Sequence, residues 1–421
     1  MAVVVAGAEE AGPSAAPLEQ AATSSDSATA EAANDEEGCR VRRDEWLMRR
    51  VSRILRQNDA VIELNAMLAD LELLVNTESP SHDLPRLATS AEAVSQVMST
   101  RLGSRPQLID SPAGPHVLWS GGGTPKVLLV GHHDTVFPVG SVAARPFTVR
   151  DGRATGPGIF DMKAGIVQAV HAVSALPDPS GVEILITADE EVGSDYSREL
   201  IERRALACGH VLVFEASADG GALKVARKGT GTFQVTVHGR AAHAGLEPWK
   251  GINSIVGLAE LVPTIISFAD PSKGTTVTPT VITGGTAENV VPAETRLLVD
   301  IRVEQAGEDE RLMRAFRSLQ TSVEGATIEV TGGPNRPPMP EGSAGRLFPL
   351  ALDAAAEVGI EQLTGVAVGG GSDGNFTAAV GVPTLDGMGA VGGGAHADHE
   401  FVLVDTMVPR AMLASAVLRR I

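Results

Sequence analysis

The sequence predicts an α/β protein, a mixed sheet with helices on both faces, interrupted by a smaller α+β module. Three observations predict it. Continuous apolar runs such as Val127-Leu128-Leu129-Val130 have the character of strands covered on both faces. Apolar residues at helical spacing lie between those runs. From Lys228 onward the pattern becomes strand, helix, strand, strand, helix, strand, the order of a split βαβ unit inserted into the first domain. The expected organisation is an acidic, Ala- and Ser-rich extension over residues 1–39, a main domain in two parts (40–227 and 336–421), and the insert at 228–335.

Composition narrows the partners. The 421 residues are 43% hydrophobic and 20% charged, enough for a large buried core. No apolar run approaches the ~18 residues of a membrane span. The 34 basic and 52 acidic residues leave a net charge of −18, which argues against nucleic acid or an anionic membrane as a partner. Two cysteines, Cys39 and Cys208, make neither a disulfide framework nor a zinc pair and fit a reducing cytoplasm. Residues 1–7 lack the basic stretch and apolar length of a signal peptide. Residues 1–38 have no aromatics and no sustained period, so they cannot bury enough surface to offset the entropy of ordering.

In chain order, residues 46–56, 61–75 and 91–102 show amphipathic helical spacing, with Ser79-Pro80-Ser81 ending the second. The strand 127–130 runs into Gly131-His132-His133-Asp134. On extended backbone His132 and Asp134 share a face and His133 points away, the arrangement of a metal-binding imidazole whose second nitrogen a carboxylate holds. Alone, such a pair is more often a structural hydrogen bond than a metal site. Next, Gly156-Pro157-Gly158 precedes a helix, but Asp161 occupies the position where a dinucleotide fingerprint needs its third glycine, and a carboxylate there repels a pyrophosphate. Asp161 is then either a helix cap or a carboxylate bridging two cations. His171, inside that helix, reads as a packing residue.

The strand 182–187 delivers Asp189-Glu190-Glu191, three adjacent carboxylates that raise one another's pKa unless cations compensate. The run Val211-Leu212-Val213-Phe214 delivers Glu215. A lone acidic turn is ordinarily a solvated surface; here His132, Asp161, Glu191 and Glu215 fall at successive strand ends and loops of one sheet, where ligand sites of such sheets lie. Zinc and its neighbours accept this nitrogen and oxygen set. In the insert, His243 sits among small residues at a strand exit and Asn289 in a turn. Late in the chain, Gly370-Gly371-Ser372-Asp373-Gly374 spells a serine-hydrolase elbow, a reading that leaves the earlier carboxylates without purpose. His396 and His399 compete for a ligand role, and spacing does not choose between them.

Five blocks in order, Gly131-His132-His133-Asp134-Thr135-Val136, Gly158-Ile159-Phe160-Asp161-Met162-Lys163-Ala164-Gly165, Thr187-Ala188-Asp189-Glu190-Glu191-Val192-Gly193-Ser194, the glycine-bounded stretch 239–245 and 395–400, resemble the two-zinc metallopeptidase family of glutamate carboxypeptidase, aminoacylase and succinyl-diaminopimelate desuccinylase. The resemblance covers roughly residues 60–421. It implies a two-metal exopeptidase-like catalytic domain with a ferredoxin-like lid and dimerisation domain. One ion would be held by His132 and Glu215, the other by Glu191 and His396, with Asp161 bridging. Asp134 would orient His132, and Glu190 would be the general base. His396 is favoured over His399, and the Asp161-Met162 peptide is expected to be cis. His243 would reach the active site of a partner subunit in a homodimer, and Asn289 and Arg336 would grip the substrate carboxylate.

The implied cofactors are two divalent ions, Zn2+ first, with Co2+ or Mn2+ as alternatives. The implied reaction is hydrolysis of an amide bond next to a free carboxylate, releasing a C-terminal amino acid. Removal of an acyl group from an N-acyl amino acid uses the same centre, and a non-catalytic binding protein on the same fold is the remaining reading. The substrate in either enzymatic case is a small molecule, an N-acyl amino acid or short peptide.

Overall fold

Ten strands and seven helices of this computed structural model, which describes residues 61–421, suffice to place the site. The main sheet contains β1 (Gln107–Ile109), β2 (His116–Ser120), β3 (Val127–His132), β4 (Val182–Thr187) and β5 (Val211–Val213), closed by the short strand Thr384–Leu385. Their order is β1-β2-β4-β3-β5 and then the short strand. β4, β3, β5 and the short strand run parallel, while β1 and β2 are antiparallel. Along β3, Val127 and Leu129 enter one core and Leu128 and Val130 another. That period-two division is why these strands read as continuous apolar runs.

Helices α1 (Leu64–Asn76), α2 (Leu84–Leu102) and α3 (Ala164–Ser174) pack on the first face, and α4 (Arg198–Cys208) on the second. α2 begins earlier than its apolar spacing suggests, because the Asp83 side chain accepts from the Arg86 N–H at 3.2 Å and Pro85 sits in the first turn. Gly165 lets α3 press against the end of β5, since a Cβ there would lie 2.0 Å from the Phe214 carbonyl oxygen. His171 is buried in α3 and bonds Asp70 at 2.7 Å, pinning α3 to α1. The polar helix α4, strand β2 and a final helix, Met407–Leu418, escape the periodicity reading.

The insert is β6 (Gly229–His238), α5 (Ser254–Ile266), β7 (Thr276–Gly284), β8 (Glu294–Val303), α6 (Glu308–Arg317) and β9 (Thr327–Arg336). Its antiparallel order, β7-β8-β6-β9, is the ferredoxin-like arrangement of a split βαβ unit. It has its own core, in which Phe233 and Phe316 stack at 3.8 Å between ring centroids. The expected extension over residues 1–39 and the helix at 46–56 lie outside the described residues. Among the described residues no helix is long and apolar enough to cross a membrane.

Candidate metal centre and cleft

Three parallel strands end on one side of the sheet, and their exits carry the donors. His132 closes β3, and its Nε2 faces Asp161 Oδ1 at 3.2 Å and Glu215 Oε1, just after β5, at 3.5 Å. The wide turn Ile159–Lys163 presents Asp161, whose second oxygen Oδ2 faces His396 Nε2 at 3.3 Å. Glu191, just after β4, places Oε2 3.2 Å from the same His396 nitrogen. Asp161 therefore gives one oxygen to each histidine and caps no helix, which removes the capping alternative. The Asp161-Met162 peptide is cis, as the resemblance implies.

His133 turns away and donates from Nε2 to the Pro115 carbonyl at 3.0 Å. His399 is exposed, while His396 meets the carboxylates. Ser372 is fully buried and donates to Asp386 Oδ2 at 2.6 Å, so the serine elbow spells a structural turn.

Asp134 is fully buried and accepts from the Glu190 and Glu191 N–H groups at 3.2 Å each and from the Ser81 hydroxyl at 2.8 Å. His132 Nδ1 lies 3.0 Å from its backbone oxygen and 3.4 Å from its carboxylate. Asp134 thus meets the His132 ring with its backbone oxygen and holds the turn that displays Glu190 and Glu191 with its carboxylate. Burial would raise the Asp134 carboxyl, but its hydrogen bond to His132 wins and holds it below the usual range.

The electrostatics of the cluster call for positive charge. Burial would depress His132, yet its bonds to Asp134, Asp161 and Glu215 lift it well above the ordinary imidazole value. His396, bonded to Asp161 and Glu191, is pushed up to about 10. Burial raises Glu190 and Glu191. Glu191 Oε1 is buried with no hydrogen-bond partner, an acceptor that a cation would satisfy. Hard carboxylate oxygens and borderline imidazoles crowded at this spacing fit a pair of divalent ions. Ligand atoms of His132, Asp161 and Glu191, and likewise of His132, Glu190 and Glu215, lie within 4.8 Å of one another.

The cluster floors a cleft of about 930 Å³ whose opposite wall is the insert, through 230–232, Asp300 and Arg302. Arg336, at the end of β9, lines it with its guanidinium engaged: Nη2 donates to Glu190 Oε1 at 3.0 Å and to the Ser194 hydroxyl at 2.9 Å, and lies 3.5 Å from Asp373. His243 and Asn289 lie outside the cleft lining, on an exposed ribbon that pairs His243 with Val290. The sequence reading missed Ser81, Ser194 and Asp373, small polar residues whose contacts are all long-range, and gave Glu400 no role.

The family described as peptidase family M20/M25/M40 matches residues 128–420. Carboxypeptidase G2 of Pseudomonas sp. (strain RS-16) is 29% identical over 375 residues, 85% of this chain and 89% of that protein. A succinyl-diaminopimelate desuccinylase of Roseobacter denitrificans is 29% identical over 335 residues, 71% of this chain and 84% of its own. Among solved structures, an M20 family metallo-carboxypeptidase of Sulfolobus solfataricus superposes with a TM-score of 0.70 at 16% identity, covering 84% of this chain and 98% of that one.

Proposed function

The chain belongs to peptidase family M20/M25/M40 and is a metal-dependent hydrolase, and from that premise we propose that it cleaves an amide bond next to a free carboxylate, releasing a C-terminal amino acid. The observation that carries the reading is the Asp161 carboxylate, one oxygen turned to His132 and the other to His396. His132 and Glu215 would hold one ion, Glu191 and His396 the other, and Asp161 both. Two such ions, zinc by preference, supply Lewis acidity that polarises the scissile carbonyl and brings the pKa of a water toward ~7.

The side chains do the rest. Glu190 shares a donor cluster with His132 and Glu215, but its Oε1 is held by Arg336, which aims it as a base and not as a third ligand. It takes the water's proton and hands it to the leaving amine. His243, reaching across from a second subunit, would steady the tetrahedral oxyanion. Asn289 and the less committed Nη1 end of Arg336, which meets only Asn335 Oδ1 at 3.3 Å, would receive the substrate carboxylate. Two features favour a homodimer: β7 is an open sheet edge with Val281 and Ile282 exposed, and α5 exposes Ile255 and Val256. The buried free thiol of Cys208 suits a reducing cytoplasm.

Removal of an N-acyl group is the second reading, favoured by the desuccinylase relatives. Turnover on a panel of N-acyl amino acids and dipeptides, with and without chelator, tests both. Hydrolysis confined to substrates with a free carboxylate, lost on chelation and restored by Zn2+, is expected. Bound metal with no turnover anywhere on the panel would leave a binding protein on this fold.

A further inference from the structure

We propose that Glu400 is a positioning residue for the ion held by Asp161, Glu191 and His396: its buried carboxylate ties the turn that carries His396 to the turn that carries Asp161. The proposal rests on the two-ion reading above. Glu400 is 1% exposed, and its side chain reaches a turn 239 residues earlier in the chain. Oε2 accepts from the Gly158 N–H at 2.8 Å, and Oε1 accepts from the Phe160 and Asp161 N–H groups at 2.8 and 2.9 Å. The peptide of the bridging aspartate is itself one of the three donors.

On its own side, the Ala397 N–H donates to the Gly394 carbonyl at 2.9 Å and closes the turn that contains His396, and the Glu400 N–H donates to the Ala397 carbonyl at 3.1 Å and closes the turn that follows it. The fit is tight: a Cβ on Gly394 would stand 3.1 Å from Glu400 Cα and N. His396 needs such support more than the other donors. Its side chain is 51% exposed, against 1% for His132, 7% for Glu191 and 10% for Glu215. It also holds φ at 62°, a region costly for a residue with a Cβ. Packing therefore fixes His132, Glu191 and Glu215, while His396 is fixed by its turn, and the turn by Glu400.

Gln at 400 keeps the size but replaces one acceptor oxygen with an amide that faces peptide N–H groups. Loss of a partner that orients a ligand typically costs about 10- to 100-fold in metal affinity. The test strips the full-length protein and a Glu400→Gln variant of metal, titrates both with Zn2+ against a chromophoric chelator, and counts ions by atomic emission. Wild type should bind two ions; the variant should keep one at wild-type affinity and bind the other about 10- to 100-fold more weakly. Circular dichroism and melting of the metal-free forms should coincide.

Two wild-type affinities in the variant would overturn the role of Glu400 and leave the metal centre standing. Equal weakening of both ions would also overturn it, as a general structural effect. A wild type that binds no ion would remove the centre and this inference together. If the Gln variant does not fold, Glu400→Asp, which keeps the charge and shortens the reach, is read by the same outcomes.

Discussion

The floor of the cleft and the ribbon bearing His243 and Asn289 differ in how much of their geometry one chain supplies. On the floor, His132 and Asp134 are almost wholly buried, and the Asp134 carboxylate receives three hydrogen bonds, two of them from the acidic turn, while its backbone oxygen meets the His132 ring. On the ribbon, His243 is exposed, and its Nδ1 accepts only from the Gly245 and Leu246 N–H groups just beyond it, at 3.1 Å each. Like charges repel unless a rigid frame and a counter-charge hold them together, so the carboxylate cluster must be built by the folded core. A group that meets substrate can be offered outward and completed by a second molecule.

Four substitutions break or sharpen that contrast, from the largest effect to the smallest. If Glu190 is the base, Glu190→Gln removes it and leaves the donors, so kcat should fall by about 10²–10⁴ while atomic emission still finds the metal; retained turnover would take Glu190 out of its role. His243→Ala should cost about 10²–10³ in kcat with metal content unchanged. If His243 acts across subunits, remixing that variant with Glu190→Gln should restore activity that neither has alone. No recovery after subunit exchange would place its action within its own chain, or nowhere.

Phe316→Ala leaves a cavity under the stacked pair in the insert core and should destabilise that module by about 3–5 kcal/mol. Chemical denaturation should then show an early transition that leaves the metal centre intact. A single transition with metal loss would mean the two cores unfold as one. Ile282→Lys, on the exposed edge of β7, should change monomer stability by no more than about 0.5 kcal/mol yet lower the apparent mass in sedimentation. An unaltered mass would take β7 out of the proposed subunit contact.

Much of this was legible because it depends on near neighbours. Apolar runs ending in His132, Glu191 and Glu215 marked the strand exits, and the two-residue period of a strand separated His132 from His133. The change of pattern at Lys228 marked the insert. The polar helix Arg198–Cys208 was not legible, since it buries only Leu200, Ile201, Ala205 and Cys208 and shows a weak apolar stripe. Neither was the engagement of Arg336 with Glu190, 146 residues away.

The sequence by itself determined the inventory: which donors exist, their order, and the alternation that points them to one side of a sheet. Only the tertiary structure seated His396 against Asp161 and Glu191 while leaving His399 exposed, let Asp161 face two histidines at once, and bonded Glu400 to the turn that carries Asp161. Such choices turn on one backbone dihedral and on bonds spanning more than 200 residues, and no local spacing encodes an approach between segments that far apart.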